Sequence, residues 1–139
     1  MPLRVHEHIH CPAETAFDLM ADARNESTWN SQVSRSELLS GEPVGSGSRF
    51  LVVNRGQEYT GTISAYERPT RLVFEVTGKP MDITGSFTFG ADGDGTALDA
   101  EFDFRPKGAM KLLFPLMTPM VRRDLPRQLA SFGAFCEGS

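Results

Sequence analysis

Three histidines, His6, His8 and His10, alternate along the first strand-like stretch of the sequence and are the residues most suggestive of metal chemistry. Side chains at alternate positions share one face of a strand but stand about 6.5–7 Å apart. Rings at that spacing do not all reach one zinc ion, whose nitrogen ligands lie at about 2 Å. We therefore expect a solvated strand face and no metal site.

The two cysteines, Cys11 and Cys136, are the other residues with reactive side chains. The sequence from Met1 to Arg4 begins a strand-like pattern at once, without the apolar core of a secretory signal. Cysteines in a chain without an export signal are typically free thiols in a reducing compartment. We expect a cytoplasmic protein with no disulfide and no cofactor.

Acid–base catalysis would require a titratable side chain inside the fold, close to a bound substrate. Over the last three predicted strands large apolar residues alternate with polar ones, which indicates one buried and one wet face. A shift of one residue would expose the whole apolar set. The inward residues are then Leu72, Phe74, Val76, Ile83, Phe87, Leu98, Ala100 and Phe102. Facing solvent are Glu75, Asp82, Asp99, Glu101 and Asp103. On the preceding strand Tyr59, Gly61, Ile63 and Ala65 share the face that we take as inward.

Few polar groups are left for the interior: Tyr59, Gln128, Asn54 and the indole of Trp29. None is a general base at neutral pH. Tyr59 is either a core residue with its hydroxyl at a rim or a ligand contact. Gln128 pairs with a sheet group, a water or a ligand. Trp29 is either a core residue or one wall of a ligand site.

The C-terminal stretch from residue 107 to residue 136 is the element that would cover these groups. At about 100° per residue one helical face carries Met110, Phe114, Met117, Val121, Leu125, Phe132 and Phe135, with Gln128 near its centre. Pro115, Pro119 and Pro126 each remove a backbone donor. A single kinked helix and a short helix over 108–114 followed by a longer one from Pro119 fit equally well.

The rest of the chain predicts an α+β fold. A first strand at 3–9 precedes a helix that begins near Pro12 and a short helix around 25–31. Six strands follow, at 34–39, 49–54, 57–66, 71–77, 81–89 and 98–104. We expect a curved seven-stranded antiparallel sheet wrapped around the long C-terminal helix. Nothing separates a second domain, so one domain over residues 1–139 is predicted.

Composition excludes two classes of partner. The formal net charge of -4 argues against a nucleic-acid surface, which needs a concentrated basic patch. No apolar run approaches the length of about 20 residues that spans a bilayer.

The order and spacing of these features resemble the helix-grip fold of the START/Bet v 1-like (SRPBCC) superfamily, and within it the bacterial polyketide cyclase/dehydrase-type members. The likeness rests on the segments 8–14 and 44–50 and on Phe17, Asp22, Trp29, Ile63, Tyr66, Pro69, Leu72, Gly95-Thr96 and Phe104-Arg105-Pro106. Cys11, where small residues such as Ala are usual, and the three helix prolines depart from the common pattern.

The resemblance implies a cavity between sheet and helix that holds a lipid-, polyketide- or quinone-like molecule. Members of the superfamily include lipid carriers, hormone receptors, aromatase/cyclases, quinone-binding proteins and chaperone co-activators, so the fold does not fix the function. The residues predicted to line the site are Trp29, Phe50, Tyr59, Ile63, Phe74, Ile83, Phe87, Phe102, Met117, Val121, Gln128 and Phe132.

Three functions remain open at this point. The first is binding of a small hydrophobic or aromatic ligand, with Gln128 and Tyr59 orienting its polar end. The second is a cyclase or dehydratase that uses Tyr59 and ordered water, which a carboxylate or histidine inside the cavity would favour. The third is an interaction protein whose apolar 110–121 segment docks a partner or a second copy in a homodimer, which a very small cavity would favour.

Overall fold

A computed structural model describes residues 2–139. In this part of the chain one seven-stranded sheet is combined with three α-helices. The elements are β1 (Leu3–Ile9), α1 (Ala13–Ala21), a 3₁₀ turn (Ala23–Asn25), α2 (Glu26–Trp29), β2 (Val33–Leu38), β3 (Arg49–Asn54), β4 (Gln57–Glu67), β5 (Arg71–Gly78), β6 (Met81–Asp92), β7 (Gly95–Pro106) and α3 (Met110–Glu137). This is the predicted helix-grip order, with two short helices after β1.

The strands lie in the order β1-β7-β6-β5-β4-β3-β2, and every neighbouring pair is antiparallel. Because β1 and β2 form opposite edges, the segment that contains α1 and α2 crosses from one edge to the other. On the way α1 packs against β6 and β7, while α3 packs mainly against β1. The helices therefore all contribute to one face of the sheet.

The predicted alternation of β5 to β7 is confirmed. Phe74, Phe87 and Phe102 lie on the inner face and contact one another edge to face, at ring distances of 6.5 Å and 5.6 Å. Glu75 and Asp99 are exposed on the outer face. Burial of one side of each strand thus fixes the register.

The assignment on β4 was wrong at Ala65. A register shift between Ile63 and Ala65 inserts one extra residue into the pairing with β5. Such a bulge reverses which following side chains point inward. Tyr66 therefore turns to the interior, where its ring meets Phe17 edge to face at 5.0 Å.

Part of the core lies where the C-terminal half of α3 meets β1 and α1. Leu129, Phe132 and Cys136 of α3 are almost completely buried there, together with Ile9 and Phe17. Cys11 and Cys136 are free and buried. This packing holds the C-terminal half of the helix in place.

Helix α3 is continuous from Met110 to Glu137, so the alternative of two separate helices is not observed. Pro115 and Pro119 have no N–H to donate to the carbonyls of Lys111 and Pro115, four residues earlier. The N-terminal half also exposes large apolar side chains, Leu112 at 81% and Leu116 at 79%. It is therefore the less securely held part of the helix.

The histidines of β1 occupy the solvent-facing side. Nδ1 of His6 lies 2.8 Å from Oδ1 of Asp99, and this contact raises the pKa of His6. Nδ1 of His8 lies 3.2 Å from a carboxylate oxygen of Asp92. Within residues 2–139 no cluster of metal-ligating side chains occurs. Over the same residues, none of the helices has the length and apolar content that a bilayer span requires.

Candidate ligand-binding cavity

A cavity of about 440 Å³ lies between the inner face of the sheet and the helices α2 and α3. Small-molecule sites usually range from about 300 to 1,000 Å³. The sheet side is lined by Phe50, Val52, Tyr59, Gly61, Phe74, Val76, Ile83, Gly85, Phe87, Phe102 and Phe104. The helical side is lined by Trp29, Met110, Phe114, Met117, Met120, Val121 and Leu125, among others. Most of this surface is apolar.

Two glycines help to keep the space open. Gly85 lies in register between Phe74 of β5 and Phe102 of β7. Gly61 lies in the same way between Phe50 of β3 and Val76 of β5. Because neither glycine carries a side chain, the inner face is hollow beneath the N-terminal half of α3.

Aromatic rings form a continuous row along the cavity wall. Phe50 meets Phe74 at 6.3 Å, and the row continues through Phe87 to Phe102. Phe102 stacks on Phe104, whose ring lies 5.3 Å from Phe114 of α3. Rings arranged in this way offer both faces and edges to an apolar or aromatic guest.

The structure places two of the predicted site residues away from the cavity. Ile63 is 1% exposed and Phe132 is 0% exposed, and both belong to the packed core. The ring of Phe132 packs edge to face against Trp29, with the ring centres 5.2 Å apart. Trp29 is therefore in contact with the core and also borders the cavity. The others border the cavity: Trp29, Phe50, Tyr59, Phe74, Ile83, Phe87, Phe102, Met117, Val121 and Gln128.

An interior carboxyl group, that of Glu26, was not predicted. Glu26 begins the four-residue helix α2 and borders the cavity. Its nearest polar partner is Nδ2 of Asn30, 3.5 Å from Oε2. Burial raises the pKa of Glu26 to about 7. The cavity thus contains a group that titrates near neutrality, contrary to our expectation that no general base lies inside.

The sequence did contain a weak signal for this site. Trp29 and Asn30 follow Glu26 at the third and fourth positions, which share one side of a helix. Strand alternation reveals which carboxylates point inward on a strand, but a helix of a single turn has no such alternation. Glu26 was missed for that reason.

Gln128 belongs to a polar network within the protein. Its Nε2 donates to Oε1 of Gln32 at 2.9 Å, and Nδ2 of Asn30 lies 3.5 Å from its Oε1. Nε2 of Gln32 in turn donates to Asp124 at 3.3 Å, and Nη2 of Arg55 donates to the same carboxylate at 2.8 Å. The partners of Gln128 thus lie in the loop before β2, and not on the sheet.

Tyr59 is a polar residue on the sheet side of the cavity. Its ring packs on Gly78, where an added Cβ would stand 2.5 Å from Cδ1 of Tyr59. Burial raises the pKa of its hydroxyl group. No described residue hydrogen bonds with this hydroxyl, which leaves it open to a guest in the cavity.

The sequence matches the family described as "Polyketide cyclase / dehydrase and lipid transport" over residues 3–137. The chain belongs to this family. Its fold is the helix-grip fold of the START/Bet v 1-like superfamily. No curated protein matches the chain.

Several solved structures share the fold at low sequence identity. The protein TTHA0849 from Thermus thermophilus is 17% identical, with a TM-score of 0.75 over 99% of this chain and 98% of its own. A START superfamily protein from Mycobacterium smegmatis is 18% identical, with a TM-score of 0.74 over 99% and 97%. The di-domain ARO/CYC BexL of the BE-7585A biosynthetic pathway is 19% identical, with a TM-score of 0.71 over 99% of this chain and 49% of its own.

Proposed function

We propose that the protein binds a small hydrophobic or aromatic molecule, lipid-, polyketide- or quinone-like, in the cavity under α3. The observation that carries the proposal is an apolar space of about 440 Å³ bordered by a continuous row of phenylalanine rings. An apolar guest there would exchange contact with water for contact with these rings, worth about 25 cal/mol for each Å² of surface buried. Membership of a family described by polyketide chemistry and lipid transport supports this function.

A pair of glycine substitutions tests the proposal. Gly61→Val places a side chain on the inner face, whereas Gly90→Val adds one at a position with nothing within 4 Å. Binding of the neutral dye N-phenyl-1-naphthylamine is followed by its fluorescence and by the emission of Trp29. We expect Gly61→Val to weaken dye binding about tenfold or more, since it occupies cavity volume, and Gly90→Val to leave binding unchanged. Equal binding by both variants would count against the cavity as the site.

The second candidate, a cyclase or dehydratase, is favoured by Glu26. A carboxylate with a pKa of about 7 is suited to remove an acidic α-proton from a β-dicarbonyl compound at neutral pH, leaving an enolate whose oxygen the Tyr59 hydroxyl could stabilise. Deuterium exchange at the central carbon of a bound 1,3-diketone, followed by NMR, measures this step. Enzymatic exchange should fall at least about 100-fold in Glu26→Gln. Equal exchange in both proteins would leave binding as the function.

The third candidate, docking through the 110–121 segment, has the exposed Leu112 and Leu116 in its favour. A cavity large enough for a small molecule weighs against it. Sedimentation equilibrium of the protein and of Leu116→Lys tests the homodimer directly. A dimer that dissociates on this substitution would support the docking role.

A further inference from the structure

The charged residues that border the cavity do not balance. They are Glu26, Arg55 and Asp124. Nη2 of Arg55 lies 2.8 Å from Oδ2 of Asp124, which also accepts a bond from Gln32. Nε of Arg123 lies 3.1 Å from the other oxygen of the same carboxylate. Both arginines are therefore paired with Asp124, and neither is a cationic partner of the Glu26 carboxyl group.

In the part of the chain that the structure describes, no arginine or lysine forms an ion pair with the Glu26 carboxyl group. Arg24, in the turn just before it, forms ion pairs with Asp22 and Glu42 on the outer surface. Helix α3 presents Asp124 and the neutral amide of Gln128, and β4 presents the neutral hydroxyl of Tyr59. Among the described residues that line the cavity, the only group that hydrogen bonds with Glu26 is the amide of Asn30.

We propose that the cavity selects a ligand that carries a basic nitrogen on an apolar or aromatic body, with the Glu26 carboxylate as its counter-ion. The inference rests on the proposed binding function and specifies its ligand class. A partly buried carboxylate without a cationic partner is costly, because it loses water and gains no opposite charge. A ligand ammonium group supplies that charge, and the neighbouring phenylalanine faces also attract cations.

The same geometry disfavours acidic ligands. A carboxylate or phosphate in the cavity would face the ionised Glu26 as a like charge, or would bind only when Glu26 is protonated. A neutral alcohol of the same shape gains at most a hydrogen bond. The order of affinity is therefore amine, alcohol, acid for ligands that share one ring system.

Amine binding should release protons. Burial raises the pKa of free Glu26 to about 7, so close to half of the molecules are protonated at neutral pH. An ammonium group favours the ionised carboxylate, so binding at pH 7 should release about half a proton for each ligand bound. Affinity for the amine should accordingly rise between about pH 6 and about pH 8.

Titration calorimetry with 1-naphthylmethylamine, 1-naphthalenemethanol and 1-naphthoate tests the proposal on the intact protein. Two buffers of different ionisation enthalpy give the number of protons released. We expect the amine to bind about tenfold or more tightly than the alcohol at pH 8, which corresponds to about 1.4 kcal/mol. Glu26→Gln should remove both this preference and the proton release. Glu58→Gln, at an exposed position on β4, should keep both.

The outcomes separate the two proposals. If the alcohol and N-phenyl-1-naphthylamine bind but the amine has no advantage, the amine inference is overturned and the binding function stands. An amine preference that persists in Glu26→Gln also overturns the role of Glu26. If neither the dye nor any of the three naphthyl ligands binds, the binding function fails and the amine inference fails with it.

Discussion

Glu26 links the stability of the protein to pH. Burial raises its pKa from 4.5 in the unfolded chain to about 7 in the fold, so the folded state holds the proton more tightly. For an acid shifted upward, the stabilisation is present at low pH and is lost as the pH rises from the unfolded pKa through the folded one. The free energy of unfolding should therefore fall by roughly 2–3 kcal/mol between about pH 5 and about pH 8 because of this group alone.

Urea unfolding of the protein and of Glu26→Gln at these pH values isolates the contribution of Glu26. The other titrating groups are common to both proteins, so their difference in stability reports this carboxyl group. The stability of Glu26→Gln relative to that of the native protein should increase as the pH rises. Parallel pH profiles would mean that the Glu26 carboxyl group is well solvated.

Gln128 is expected to matter for stability. In Gln128→Leu the side-chain carbonyl of Gln32 loses its donor and the amide of Asn30 loses an acceptor, and partly buried groups left in this way cost about 1–3 kcal/mol. This differs from the outcome expected for a side chain committed to a ligand, whose replacement would leave the stability of the unliganded protein unchanged. A double-mutant cycle with Gln32→Leu should show a coupling energy, and additive effects would contradict the network.

Strand β5 positions the ring of Tyr59 through Gly78, its neighbour across the β4–β5 pair. A methyl group at Gly78 would stand 2.5 Å from the Tyr59 ring, closer than atoms can approach, so the ring must move in Gly78→Ala. We expect weaker binding of the naphthyl ligands, by several-fold, and a loss of stability of about 1–3 kcal/mol. Gly90→Ala is the matched control, since nothing lies within 4 Å of its added Cβ. If Gly78→Ala binds the naphthyl ligands with unchanged affinity, Tyr59 does not take part in binding them.

The two halves of α3 should respond differently to truncation. Leu129 is 2% exposed, and Leu129→Ala should cost about 2–5 kcal/mol because it leaves a cavity in the packed core. Leu112 is 81% exposed, and Leu112→Ala should change stability by less than about 0.5 kcal/mol. Thermal unfolding of the two variants compares them directly. Similar losses would show that Leu112 is covered in solution.

Strands β5 to β7 were predictable because one side of each is buried and the other is wet, which leaves a period of two in the sequence. The bulge of β4 was not predictable, since one extra residue between Ile63 and Ala65 changes the pairing without changing the local composition. The single turn of α2 was placed, but the direction of Glu26 was not, because so short a helix has no repeating pattern. The predictions thus failed at single positions that belong to no repeating pattern.

The apolar wall of the cavity was predictable from the sequence, whereas the polar network beside it was not. Phe74, Phe87 and Phe102 follow from alternation, and Val121 follows from the helical face. The network from Gln32 to Asp124 joins a loop before β2 to α3, across 92 positions of the sequence. No local period links groups so far apart, so only the assembled fold brings them together.

Helix α3 is held much more firmly at its C-terminal end than at its N-terminal end. Its C-terminal half is fixed in the core by Leu129 and Phe132, whereas its N-terminal half covers the cavity and contains two prolines that cannot donate backbone hydrogen bonds. The N-terminal half should therefore move away from the sheet far more often than the whole protein unfolds. Stopped-flow uptake of the dye should then reach a plateau rate as its concentration rises, because opening of the helix becomes the slow step. Amide hydrogens at 111–121 should exchange faster than those at 127–136, and a bound guest should slow the first group most.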